Sequence, residues 1–192
     1  MRVRSVVVVL LAGVLVIAGS SSLASRTSMR DPGDAFGPLD VRHITHGHAR
    51  SGGGLVHKIT TYRRWRGTAL NNDYSDIKIL FTTDRDNKPE RALVIDTEGG
   101  RLVARMHRWA AGVREQTYGR SAVSRPNLRT LKVVVRRSQL RRGIREYGWH
   151  VDTRYHKPHH PTCNISGDGK IVVCPDAAPS ATAPRAYLRH EV

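Results

Sequence analysis

The sequence predicts an all-β protein: a single antiparallel β-sandwich closed by a C-terminal disulfide hairpin. Three observations carry this expectation. Apolar residues recur at every second position and not every 3.6. Turn-forming clusters separate these runs at near-regular spacing. Two cysteines bracket an Asp-Gly pair near the C-terminus.

The strands can be read in order. "DVRHITHGH" is polar but strand-like, with His43 on one face and His46 and His48 on the other. "GLVHKITTYRRW" sets Leu55, His57, Ile59 and Thr61 against Val56, Lys58, Thr60 and Tyr62. "DIKILFTT" puts Ile77, Ile79 and Phe81 on one face, and "ERALVIDT" follows. "RLVARMHRW" aligns Leu102, Ala104 and Met106. "TLKVVVRR" points Leu131, Val133 and Val135 inward, and "EYGWHVDTRY" groups Tyr147, Trp149, Val151 and Thr153. Turns are expected at "SGGG", "NND", "TDRDNKP", "TEGG" and "RPN". The one helical hint is "SQLRR", where Ser138 would cap a single turn.

Cys163 and Cys174 enclose "NISGDGKIVV". Asp168-Gly169 favours a tight type I′ turn, because both central residues need positive φ. Pairing about that turn sets Cys163 opposite Cys174, and a disulfide there points to an oxidising compartment; a strict two-residue loop would make this a hydrogen-bonded pair, so a looser turn stays open as the alternative. The start of the chain agrees. Arg2 and Arg4 precede an uncharged apolar run from Ser5 to Gly19, and small residues follow in "SSLAS". This is the layout of a secretory signal peptide cleaved after Ala24. The run is shorter than the ~20 residues a spanning helix needs. The expected organisation is therefore a signal peptide at 1–24, a linker at 25–30, a sandwich domain at 31–176 and a flexible Ala/Pro-rich tail at 177–192. The expected location is extracellular or cell-envelope, with no membrane span after cleavage.

The formal net charge is +16, and arginines supply most of it. Such a charge favours an anionic partner. Outside the cell that means acidic glycans, anionic wall polymers or lipid head groups. A specific nucleic-acid target is not expected of an exported protein.

Much of the chain from Asp31 to Cys174 resembles a group of secreted, mostly uncharacterised actinobacterial proteins. The residues that carry the resemblance are "DPGDAFGPLDVRHITHGH", "LVHKITTYRRW", "TDRDNKPERALVI", "RPNLRTLKVVV" and "YGWH". More remotely, the order of strands is similar to family 9 carbohydrate-binding modules and DOMON-like domains. That resemblance implies glycan or haem binding, sometimes with structural calcium.

Three sets of residues carry candidate chemistry. The first is acidic. Asp31, Asp34 and Asp40 lie in one irregular loop, and Asp84 and Asp86 lie in "DRDNKPE". Calcium takes six to eight oxygen ligands, so these aspartates are its candidate ligands; the competing reading has each capping a turn through its own backbone. The second is histidine. His43, His46, His48 and His57 lie on neighbouring strands, and His156, His159 and His160 lie in "HKPHHP". A transition metal would need several to converge, whereas solvated surface histidines need not. The third is basic and aromatic. Arg63, Arg64, Trp65 and Arg66 form one cluster, Arg136, Arg137, Arg141 and Arg142 a second, and Trp109 a strand-end aromatic. Guanidinium groups beside indoles grip anions bidentately and stack. A polysaccharide or other anionic polymer is the expected partner, with core packing the alternative for each aromatic.

Catalysis finds no anchor. G-x-S-x-G, H-E-x-x-H and P-loop patterns are absent, and the cysteines are committed to each other. The expectation is a non-catalytic binding module. The alternatives are a metal-dependent or glycan-hydrolysing enzyme and a structural or protein-interaction domain.

Overall fold

The computed structural model describes residues 28–49, 53–84, 88–110, 113–156, 163–165, 172–178 and 188–191. The leader region 1–24 lies outside the described residues. So do Asp86, His159, His160 and the Asp168-Gly169 turn. No helix among the described residues is long and apolar enough to cross a membrane.

Thirteen strands are present among the described residues. They are β1 (Ser28–Arg30), β2 (Val41–His48), β3 (Gly54–Thr61), β4 (Asp76–Thr82), β5 (Arg91–Glu98), β6 (Arg101–Ala110), β7 (Val113–Arg120), β8 (Ala122–Asn127), β9 (Thr130–Arg136), β10 (Glu146–His156), β11 (Asn164–Ile165), β12 (Val172–Ala178) and β13 (Leu188–Glu191). One helical turn, α1 (Arg137–Leu140), and one 3-10 turn, Gly67–Leu70, interrupt them. All pairings are antiparallel. The smaller sheet runs β1-β2-β3-β9-β8, and the larger runs β11-β12-β10-β4-β5-β6-β7, with β13 also on β10.

The two-residue period decides what is buried. Ile77, Ile79 and Phe81 of β4 and Tyr147, Trp149 and Val151 of β10 are fully buried. They meet Ile44, Leu55, Ile59, Leu131, Val133 and Val135 of the smaller sheet in one core. The one-face groupings expected for β4, β9 and β10 are the ones observed, and on β3 the structure turns Leu55, His57, Ile59 and Thr61 inward.

The Glu98↔Arg101 pair closes the β5–β6 hairpin through Gly99 and Gly100, whose φ values are +56° and +77°. Two successive positive φ values are what a two-residue type I′ turn requires, so the Gly-Gly pair is structural. Gly37 has a different reason. Its φ is +115°, and a methyl there would lie 2.6 Å from the Tyr155 ring, so glycine lets the β1–β2 connection lie flat on β10.

Four local expectations are corrected. "RPN" is no turn: Arg125, Pro126 and Asn127 end β8, and the chain reverses at Leu128 and Arg129. Pro126 is tolerated because β8 is the edge of its sheet and its missing donor costs no ladder bond. Ser138 does not cap α1. The cap is Arg136, whose N–H donates to Gln139 Oε1 at 2.9 Å. The 25–30 segment is not only a linker, since Ser28–Arg30 pairs with β2. The 177–192 tail is not uniformly loose. Leu188–Glu191 pairs with Glu146–Trp149, continuing along β10 where β12 leaves off.

The disulfide joins Cys163 to Cys174 across β11 and β12, with Cα atoms 4.5 Å apart. That is the spacing of a non-hydrogen-bonded antiparallel pair, where side chains stand closest. A bridge closing a loop this short stabilises by roughly 3 kcal/mol in the chain-entropy picture. The double variant Cys163→Ser/Cys174→Ser is expected to melt roughly 6–12 °C lower by calorimetry. An unchanged midpoint would show that the hairpin is not coupled to the sandwich.

Candidate functional site

The outer face of the larger sheet is not a plain solvated surface. Between the inward residues of β4 and β5 stand Leu80, Ala92 and Val94, and these are buried as a second small apolar cluster with Trp109 packed against it. Trp109 is the next-to-last residue of β6, and it shares the outer face with Arg105 by alternation, opposite the buried Ala104 and Met106. The Lys78 ammonium lies over the ring, 5.7 Å from its centroid.

Around Trp109 a cleft of about 800 Å³ opens. The 3-10 turn and the segment after it supply Asn71, Asn72 and Asp73 to one rim. β4 supplies Asp76 and Lys78, β5 Asp96, β7 Arg114, and β10 Asp152 and Arg154. Alternation explains why the charged residues of β4, β5 and β10 gather here: each lies one residue away from a core position. Arg154 grips Asp76 with two N–H donors, Nε to Oδ1 at 3.1 Å and a terminal nitrogen to Oδ2. Lys78 Nζ reaches the same carboxylate at 3.2 Å. Arg105 pairs with Asp96 at 3.1 Å, and His150 Nε2 lies 3.0 Å from Asp152. Burial lowers the Lys78 ammonium below its usual range, opposed by Asp76. Burial likewise raises Asp96, while Arg105 and Arg114 hold it down. The floor thus alternates acceptors and donors around one aromatic face.

Of the basic and aromatic residues singled out in the sequence, only Trp109 lines this cleft. Trp65 is not a surface platform. It is 3% exposed, and the Arg125 guanidinium covers its ring at 4.0 Å. The two arginine clusters do not share a face either. Arg63, Arg64 and Arg66 follow the end of β3, while Arg136, Arg137, Arg141 and Arg142 leave β9 beside the start of β3. β3 and β9 are antiparallel, so six residue steps, about 20 Å, separate the two ends. All seven arginines are exposed.

The acidic loops divide in the same way. Asp31 and Asp34 converge with Asp176 of β12. Asp84 does not join them. It is exposed beyond the far end of β4, where Thr82 Oγ1 donates to its backbone and side-chain oxygens. Asp84 and burial together raise the neighbouring Glu90, burial more strongly.

The histidines do gather, with a member the sequence did not suggest. His46 and His57 face each other across β2 and β3. His190 lies opposite Tyr147 across β13 and β10. The ring centroids of His46 and His190 are 3.7 Å apart, those of His46 and His57 4.6 Å. His48 Nε2 stands 3.2 Å from His190 Nε2. The Tyr147 hydroxyl lies 2.9 Å from His46 ring nitrogens and 3.2 Å from His57 Nε2. Among the described residues, however, the acidic trio and no histidine set brings three ligand atoms within 4.8 Å of one another. The cluster is a buried polar network packed on Phe81 and Trp149. His43 stays on the opposite face of β2, half-buried.

No protein-family model, curated protein or solved structure matches the chain.

Burial, reinforced by the neighbouring imidazoles, lowers His46 to about 2, His57 to about 3 and His190 to about 4. Arg137 adds to the effect on His190. In the unfolded chain these groups titrate near 6.5. As pH falls below that value the unfolded state binds protons that the folded state refuses, so stability falls, by up to about 1.4 kcal/mol per histidine per pH unit. Asp40 and Asp176, raised to about 6 and about 7 by burial, act in the opposite sense over pH 7 to 4. The histidine part is therefore read as a difference. A His46→Gln/His190→Gln variant, unfolded with urea at pH 7 and pH 5, is expected to lose less stability on acidification than the parent protein. Equal losses would show that the cluster is not what the acid attacks.

Proposed function

We propose that the protein is an exported, non-catalytic glycan-binding module that takes its ligand in the Trp109 cleft. One observation carries the reading: an aromatic face set in a cleft of about 800 Å³ among carboxylates, guanidinium groups and side-chain amides. Sugars offer an apolar ring face and a rim of hydroxyls that donate and accept. An indole with alternating acceptors and donors complements both. The balance of Asp73, Asp76, Asp96 and Asp152 against Lys78, Arg114 and Arg154 favours a neutral polysaccharide over a polyanion.

Binding is favoured over hydrolysis because three of the four cleft aspartates are engaged by other side chains. Asp76 is held by Arg154 and Lys78, Asp96 by Arg105, and Asp152 by His150. A glycosidase needs one carboxyl kept protonated beside a second kept ionised, and the two cations held against Asp76 oppose the first. Export is part of the proposal. Its supports are the leader-like N-terminus and the disulfide.

The test is retention on insoluble wall polysaccharide, cellulose, xylan and chitin, followed by titration with soluble oligomers. Binding to at least one is expected, persisting at 0.5 M NaCl. Trp109→Ala is expected to weaken it at least tenfold, and Asn72→Ala, at the exposed rim, by a smaller factor. Retention that disappears with salt and ignores both substitutions would move the ligand to the arginines and make it a polyanion. No retention on any support would overturn the reading.

A further inference from the structure

We propose that Asp31, Asp34 and Asp176, completed by Asp40, hold one divalent cation of the calcium type and thereby tie the two sheets together. None of these residues lines the Trp109 cleft, so the inference stands apart from the glycan reading.

The first observation is convergence. Asp31 and Asp34 belong to the β1–β2 connection, on the smaller sheet. Asp176 belongs to β12, in the larger sheet. One carboxylate oxygen from each lies within 4.8 Å of the other two. Asp31 is 2% exposed and Asp176 9%. Residues so far apart in the chain meet because Gly37 lets the connection lie on Tyr155, whose β-partner is Cys174, two residues before Asp176.

The second observation is Asp40, which is not one of that trio. It is 7% exposed, and its Oδ1 is buried without a hydrogen-bond partner. Its carboxylate leans over the Asp31–Asp34 turn: a methyl at Gly33 would lie 3.6 Å from Oδ2, and the Ala35 N–H donates to it. A buried carboxylate oxygen without a donor costs free energy unless a proton or a cation satisfies it.

The chemistry of the set selects the ion. Every donor is a hard oxygen, which suits calcium and not a thiophilic or imidazole-seeking metal. Asp176 is already oriented by the Val41 N–H at 2.5 Å and the Ala177 N–H at 2.8 Å, and each of its oxygens keeps a second lone pair. The Tyr62 hydroxyl donates to the Asp31 carbonyl at 2.8 Å and so fixes the turn from outside. Arg63 is the cation that weighs on Asp40, and it does so less than Asp34 and Asp31 do. Burial and mutual repulsion raise Asp40 and Asp176.

The experiment is a thermal melt of the protein at pH 7.5 in millimolar calcium and in chelator, with terbium luminescence as a direct binding readout. Tyr62, next to Asp31, is the expected sensitiser. Calcium at about 100 times its dissociation constant is expected to raise the midpoint by roughly 5–10 °C. Asp34→Asn, at an exposed ligand and harmless to the core, is expected to abolish most of that rise and the terbium signal, as is Asp176→Asn. Two results would overturn the proposal. One is a midpoint indifferent to calcium together with no terbium signal, which would mean that protons and backbone donors alone satisfy the quartet. The other is a calcium response that survives both substitutions.

Discussion

The structure depends on β10. This strand is hydrogen-bonded along one edge to β4, while β12 and β13 share the other edge end to end. Its period of two assigns opposite tasks to successive residues. Tyr147, Trp149, Val151 and Thr153 point into the sandwich, where they are buried. His150, Asp152 and Arg154 point outward; Asp152 and Arg154 line the cleft, and His150 stands against Asp152. A one-residue slip would send Trp149 to the surface and Arg154 into the core, so the register that makes the core also makes the site.

The same strand organises the buried polar chemistry. Tyr147 presents its hydroxyl to His46 and His57 at one end, and Thr153 Oγ1 donates to the Leu39 carbonyl at 2.9 Å near the other. Leu39 leads directly into Asp40 and β2. The acidic quartet, the Gly37 contact on Tyr155 and the disulfide therefore cluster where the first connection crosses to the last hairpin. Burying three carboxylates there, Asp31, Asp40 and Asp176, and three imidazoles at the opposite end lets hydrogen bonding and charge, as well as packing, define how the sheets meet.

Much of this was legible in the chain. Alternation in "DIKILFTT", "TLKVVVRR" and "EYGWHVDTRY" assigns inward faces correctly because a half-buried strand has only two faces to choose from. The Cys163–Cys174 pairing follows from the symmetry of the hairpin. Other parts were not legible. β7 is polar and mostly exposed, so no period marks it. β8 contains Pro126, which argues against a strand unless the strand is known to be an edge. β13 is four residues long, and its reason to exist is the vacancy along β10 beyond β12.

The candidate sites show the same division. The sequence by itself determined the inventory: an excess of arginine, a disulfide hairpin, an aspartate-rich first loop, histidines at alternating positions and Trp109 at a strand end. These follow from composition and from local geometry that each segment carries with it. Tertiary structure alone decided the groupings. It separated the two arginine clusters because β3 and β9 run antiparallel, and it buried Trp65 under Arg125. It drew Asp176 to Asp31 and His190 to His46 across well over a hundred residues. Strand pairing is a contact between distant segments, and nothing in the period of one strand names its neighbour.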